Sequence, residues 1–221
     1  MRNFILVSLS LTLLACGDDD PIELTHDHAG VAGFLYVDGD GNPIDEGTPA
    51  EATLDKVVGE ARVPVVDPRG EAVTWGRFME AAGTVHLSCD GDETQVDIEA
   101  TGLLGDGVYT AWLIYFQEPG SAEAGLAAFA GLEAVGPRDG SGSVLTVDAD
   151  GRGTLSTTVT PGDVAMAAVD GFALEGCLQD AYEVWLTLAY HMDGETCGDF
   201  PCTDDTIAEQ HLWAFGGGAA R

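Results

Sequence analysis

Between Thr84 and Thr101 apolar and polar residues alternate in two runs. Val85, Leu87 and Cys89 alternate with Thr84, His86 and Ser88, and then Val96, Ile98 and Ala100 alternate with Gln95, Asp97 and Glu99. Only an extended chain places every second side chain on the same face, so this period of two excludes a helix and predicts an amphipathic β-hairpin. Its turn falls at Asp90-Gly91-Asp92-Glu93. A lone hairpin is marginal in water, so one face must lie on a second layer. Val108 to Phe116 supplies part of that layer. It is apolar on both alternations, through Tyr109, Trp112, Leu113, Ile114 and Tyr115, as a strand in the interior of a sheet must be.

Tyr182 to His191 reads as another strand, with Tyr182, Val184, Leu186, Leu188 and Tyr190 inward and Glu183, Trp185, Thr187 and His191 on the other face. A terminal strand runs through His211, Trp213 and Phe215. Thr101-Gly102-Leu103-Leu104-Gly105-Asp106-Gly107-Val108-Tyr109 places leucine, a glycine turn and tyrosine in the order of a tyrosine corner, where a sandwich chain crosses between sheets. The expected fold is mainly β: an antiparallel Greek-key sandwich of the immunoglobulin or fibronectin kind with a short helix. With 30 glycines and 9 prolines, turns are abundant. Val31 to Val37 is a strand candidate before the turn Asp38 to Pro43, and residues 43–70 read as loop and edge structure with a helical turn or two around Ala50 to Gly59. Ser121 to Val135, alanine-rich with Leu126, Phe129, Leu132 and Glu133 at helical spacing, predicts the short helix. Val144–Val147 and Thr154–Val159 flank Asp148 to Gly153 as strand, turn and strand.

The N-terminus addresses compartment. After Met1-Arg2-Asn3, Phe4 to Leu14 is an apolar run too short to span a bilayer, which needs about 20 residues, and Gly17-Asp18-Asp19-Asp20 follows it. That is a secretory leader. Leu13-Leu14-Ala15-Cys16 at its end resembles the bacterial lipobox. The resemblance implies cleavage before Cys16, acylation of its thiol with chains such as palmitate, and stable anchoring by several chains together. Gly17 rather than aspartate after Cys16 favours the outer membrane. The expected organisation is a signal peptide (1–15), a lipidated cysteine with a flexible acidic tether (16–29), and one β-sandwich domain (30–218). Acidic residues number 38 against 8 basic, for a net charge of −30. Lys56 is the lone lysine, so phosphate backbones and anionic lipid headgroups are excluded as charge-matched partners. The membrane is reached through the N-terminal lipid; a protein or small ligand is left open as partner.

Cys89, Cys177, Cys197 and Cys202 remain once Cys16 is set aside. Four cysteines in an exported chain imply two disulfides among three possible connectivities. The closeness of Cys197 and Cys202 favours that pair and leaves Cys89 with Cys177. The rival reading joins Cys197 and Cys202 to His191 and His211 as a zinc site, although the spacing is not a standard one. A metal held by His191, His211 and Glu183 is a further candidate. Asp38, Asp40 and Asn42 are hard oxygen donors in a partial calcium-loop pattern, but Pro43 stands where that loop needs glycine and Pro49 where it needs glutamate. Asp139-Gly140-Ser141-Gly142-Ser143 is not a nucleophile elbow, and no HExxH, Walker or dinucleotide motif occurs.

Gly102-Leu103 through Tyr109-Thr110-Ala111-Trp112, then Phe116 and Pro119, and Glu183-Val184-Trp185-Leu186 with His191, resemble a group of secreted bacterial β-sandwich proteins of no assigned activity, over residues 80–218. The members of that group carry cysteines after Pro119, where this chain is alanine-rich, so their bridge does not transfer. The resemblance implies the fold and no activity. The functional expectation is a lipid-anchored envelope module that binds or supports without catalysis and needs no cofactor, against the alternatives of a metal-dependent envelope enzyme or a calcium-binding surface domain.

Overall fold

A computed structural model describes residues 22–24, 35–45, 47–116, 129–137, 141–164, 167–168, 172–178, 183–196 and 206–215. In chain order these form β1 (Ile22–Leu24), β2 (Tyr36–Asp38), β3 (Leu54–Val58), β4 (Ala61–Pro64), the one-turn helix α1 (Trp75–Phe78), β5 (Ala82–Asp90), β6 (Glu93–Thr101), β7 (Val108–Phe116), β8 (Phe129–Ala134), β9 (Val144–Thr146), β10 (Gly153–Val159), β11 (Gly162–Asp163), β12 (Ala167–Ala168), β13 (Ala173–Leu174), β14 (Glu183–His191) and β15 (Ile207–Phe215).

Two antiparallel sheets face each other. One has the order β1-β5-β6-β10, and the other β12-β8-β7-β14-β15 with β9 paired to the first half of β7. The β5–β6 hairpin is in the register its alternation requires, Val85 opposite Ile98 and Leu87 opposite Val96, closed by Asp90 opposite Glu93. Gly91 takes φ +64°, which the tight turn demands and a side chain would resist. Val85, Val96 and Ile98 from this sheet meet Tyr109, Leu113, Tyr115, Val184, Leu186, Leu188 and Tyr190 from the other, all at most 1% exposed. Each such aliphatic side chain contributes about 1.5–3 kcal/mol. The opposite face of β7 and β14 is also buried: Trp112 packs on Ala134 and Ala189, and the Phe116 and Trp185 rings lie 4.8 Å apart. β7 is therefore the central strand its composition predicts.

The tyrosine corner is formed. The Leu104 amide donates to the Tyr109 hydroxyl over 2.7 Å, that hydroxyl donates to Gln210 Oε1, and Gln210 Nε2 donates to the Phe78 carbonyl at 3.1 Å. Gly102 has φ +67°, and a Cβ there would collide with the Glu80 carbonyl. Arg77 of α1 donates to the Gly102 carbonyl at 2.7 Å and to that of Leu103, fastening the helix to the corner. Thr74 caps α1, its hydroxyl accepting from the Arg77 amide.

A third sheet, β2-β3-β4, docks on the sandwich. Tyr36 and Phe78 stack edge to face at 5.3 Å, and the buried Lys56 ammonium donates to the Ile207 carbonyl at 2.8 Å and to Glu209 Oε1 at 3.2 Å. Cys89 is bonded to Cys177, as expected; Cys16, Cys197 and Cys202 lie outside the described residues.

Three expectations are corrected. Phe129–Ala134, placed in a helix, is strand β8 on β7; the open backbone groups of Trp112 to Phe116 need partners, and meeting them outweighs alanine's helix propensity, the highest of any residue but worth under about 1 kcal/mol per position. The other half of that expected helix, residues 121–128, lies outside the described residues. Ala50 to Gly59 holds no helical turn but β3, which pairs with β4 across Gly59 at φ +60°. β9 and β10 are strands on either side of a turn, as expected, and Asp148–Arg152 carries the chain between them from one sheet to the other, with a single bridge between Val147 and Gly153. Ile22–Leu24, read as tether, is an edge strand, with Ile22 opposite Val85 and Leu24 opposite Gly83.

Candidate functional site

The turns form the site. Three pentapeptides, Asp38 to Asn42, Asp67 to Glu71 and Asp148 to Arg152, share one construction. In each the leading Asp Oδ1 accepts the amides two and four residues on, at 2.8–3.0 Å. The fourth residue is glycine with φ between +76° and +90°, and its amide closes back on the aspartate carbonyl. Aspartate suits the first place because its carboxylate satisfies amides that the bend would leave open.

The Asp67 and Asp148 turns converge with α1 and the tyrosine corner at one end of the sandwich. Between them lies a cleft of about 350 Å³ lined by Asp67, Arg69, Glu71, Arg77, Leu104 and Asp106 among others. Asp106 holds φ +60°, the left-handed region that aspartate tolerates better than most residues, with its amide on the Asp148 carbonyl at 3.1 Å. Arg69 Nη2 lies 2.9 Å from Asp67 Oδ2 and 3.9 Å from Glu71. Burial works against the Asp67 charge, but the Glu71 amide and the Arg69 side chain and amide outweigh it and hold the carboxyl below its ordinary range. The Arg69 guanidinium is pushed up by the same contact. Thr74, the one hydroxyl side chain among the described residues that line the cleft, is occupied as the α1 cap. With Asp67 committed to its turn, the lining is furnished for polar and ionic recognition.

A second polar cluster lies on the outer face of the larger sheet. Thr110 Oγ1 accepts from Trp112 Nε1 at 2.7 Å and sits 2.8 Å from His191 Nε2. Since the indole only donates, the Thr110 hydroxyl hydrogen is free to go to Nε2 of a neutral imidazole. His191 is 1% exposed. Burial lowers its pKa, opposed by Asp193 and the Glu195 backbone.

The sequence-derived metal candidates do not converge. Glu183 pairs with Phe116 and His191 with Val108, the two ends of β14, about 26 Å apart at the rise of a strand. His211 sits opposite Leu188 in the β14–β15 register, not opposite His191, whose partner is Ile207. The Asp38 carboxylate accepts the Asn42 amide side chain at 2.9 and 3.2 Å besides its two backbone amides. The Asn42 side chain, first, and these amides hold the Asp38 pKa down, so N–H groups stand where a calcium ion would need oxygen donors. Among the described residues no three His, Cys, Asp or Glu side chains are grouped to hold a metal ion.

The cleft itself was not foreseen. Its signal is the spacing Asp-x-x-Gly, legible at Asp38 and Asp148 and repeated at Asp67, where the prolines around it masked the turn. No protein-family model matches the chain, and no curated protein matches it.

Proposed function

We propose that this chain is a lipid-anchored module of the bacterial cell envelope, addressed to the outer membrane, that acts by binding and not by catalysis. Leu13-Leu14-Ala15-Cys16 at the end of an apolar leader carries the reading: acylated Cys16 holds the domain to the membrane, since several chains on one residue anchor stably. The Cys89–Cys177 bridge supports an oxidising compartment outside the cytosol. The sandwich and its tyrosine corner agree with the resemblance to secreted bacterial β-sandwich proteins. The cleft of Asp67, Arg69, Glu71, Arg77 and Asp106 is the ligand-facing surface in this reading, suited to a small polar or cationic group.

Mass spectrometry of the protein from its own cells tests the anchor. The expected N-terminus is Cys16 carrying a diacylglycerol adduct and an acylated amine; an intact leader or an unmodified cysteine overturns the proposal.

A further inference from the structure

We propose that the bilayer faces the Asp90–Glu93 hairpin end of the sandwich and that the cleft points away from it. This deepens the anchored reading and rests on it. The strand β1 sets the geometry. It runs antiparallel to β5, Ile22 opposite Val85 and Leu24 opposite Gly83, so the N-terminal end of β1 faces the Asp90 end of β5. Five residues separate Cys16 from Ile22. Fully extended, those six steps reach about 21 Å. From Val85 to Asp90 the strand rises about 17 Å. The length of that stretch is therefore just enough to let the lipidated cysteine pass the hairpin tip.

The opposite exit is too far. Reversing the chain takes a turn of four residues, and the one or two left over reach about 7 Å, less than the roughly 10 Å from Val85 back to Ala82. Ala82 pairs with Thr101, where the chain enters the tyrosine corner, so the cleft residues Leu104, Gly105, Asp106 and Ala149 belong to that far end. β5 alone separates the ends by about 27 Å. The exposed Asp90, Asp92 and Glu93 would meet the headgroups, which suits a zwitterionic surface better than an anionic one.

The test uses the full lipidated chain in phosphatidylcholine vesicles bearing a headgroup acceptor dye. An azide-bearing residue is installed at Asp92 or at Asp106 and coupled to a donor. Transfer from position 92 should exceed that from position 106 at least twofold, and a ten-residue Gly-Ser insertion between Pro21 and Ile22 should abolish the contrast. Equal or reversed transfer overturns the orientation, as does a contrast that survives the insertion. Flotation separates this from failure of the anchor itself: a full chain that does not float with vesicles, or a Cys16→Ser chain that does, overturns the anchored reading and the orientation with it.

Discussion

The Leu104 amide donates to the Tyr109 hydroxyl over 2.7 Å, and this bond crosses the bend at which the chain leaves one sheet for the other. The same hydroxyl donates to Gln210 on β15, so one phenol ties the corner, the last strand and, through the Gln210 side chain, the end of α1. Burial pushes the Tyr109 pKa well up, which keeps the hydroxyl a donor at any accessible pH.

Tyr109→Phe leaves the buried Leu104 amide and Gln210 carbonyl oxygen without that partner. An orphaned buried polar group costs about 1–3 kcal/mol, so the urea midpoint should fall by the equivalent amount with little change in slope. A loss under about 0.5 kcal/mol would show that the corner contributes little.

How much of this was legible in sequence depends on which force dominates locally. The β5–β6 hairpin, β7 and β14 were readable because their side chains repeat with the pleat and meet a core: Val85 and Ile98 leave no doubt about which face is inward. The Leu104 to Tyr109 link was readable because its spacing is local. Phe129–Ala134 misled because alanine's helix propensity is a local signal that tertiary pairing overrides, and the decisive fact, an open edge on β7, is remote in sequence. β1 was missed for the same reason, since Ile22 and Leu24 show no period until Val85 and Gly83 lie beside them. The cleft is harder still. Asp67, Arg77 and Asp106 meet through turns and a one-turn helix, which have no period to detect.

The Cys89–Cys177 bridge closes a separation of 88 residues and joins the end of β5 to the segment before β14. In the loop-entropy account a crosslink of this span is worth about 2–5 kcal/mol. Replacing both cysteines by alanine should lower the denaturation midpoint accordingly, and dithiothreitol should lower it further in the parent than in the double variant, which keeps Cys197 and Cys202. Equal sensitivity of the two to reductant would count against this pair as the stabilising bridge.

His191 makes stability depend on pH. Burial depresses its folded pKa below the value of about 6.5 expected when unfolded. Above pH 6.5 both states are neutral at this site and it contributes nothing to the slope. Between that value and the folded pKa only the unfolded chain takes the proton, so stability falls as the solution is acidified through that window. Urea midpoints at pH 7.5 and 5.5 should differ in the parent, and the difference should shrink in His191→Gln. A parent whose pH dependence between 5.5 and 7.5 matches that of His191→Gln refutes the assignment.

Lys56 supplies the lone lysine amine, and the fold buries it at 5% exposure between the Ile207 carbonyl and Glu209. Removing one member of a buried pair strands the other; with Glu209 still 23% exposed, Lys56→Met should cost about 1–3 kcal/mol rather than the full buried-pair figure. The folded protein should resist acylation of Lys56 by an amine-reactive ester and become reactive in urea. Rapid labelling of Lys56 in the native state would mean that the β2–β3–β4 sheet does not stay docked.

Charge governs the molecule as a whole. Lys56, Arg62, Arg69, Arg77 and Arg152, all the lysines and arginines among the described residues, lie within 4.0 Å of a carboxylate. In a chain with net charge −30, the described residues therefore hold no lysine or arginine that is not already beside a carboxylate to offset the remaining acids. Self-repulsion of this kind opposes the compact state more than the expanded one and is screened over about 10 Å at 0.1 M salt, but over about 30 Å at 0.01 M. Raising sodium chloride from 0.01 to 0.5 M should raise Tm. The paired surface cations work in the opposite direction, because salt weakens attraction as well as repulsion, but exposed pairs contribute only about 0–1 kcal/mol each, and the unpaired acids far outnumber them. A Tm that falls with salt would show that the ion pairs, not the excess charge, dominate the surface.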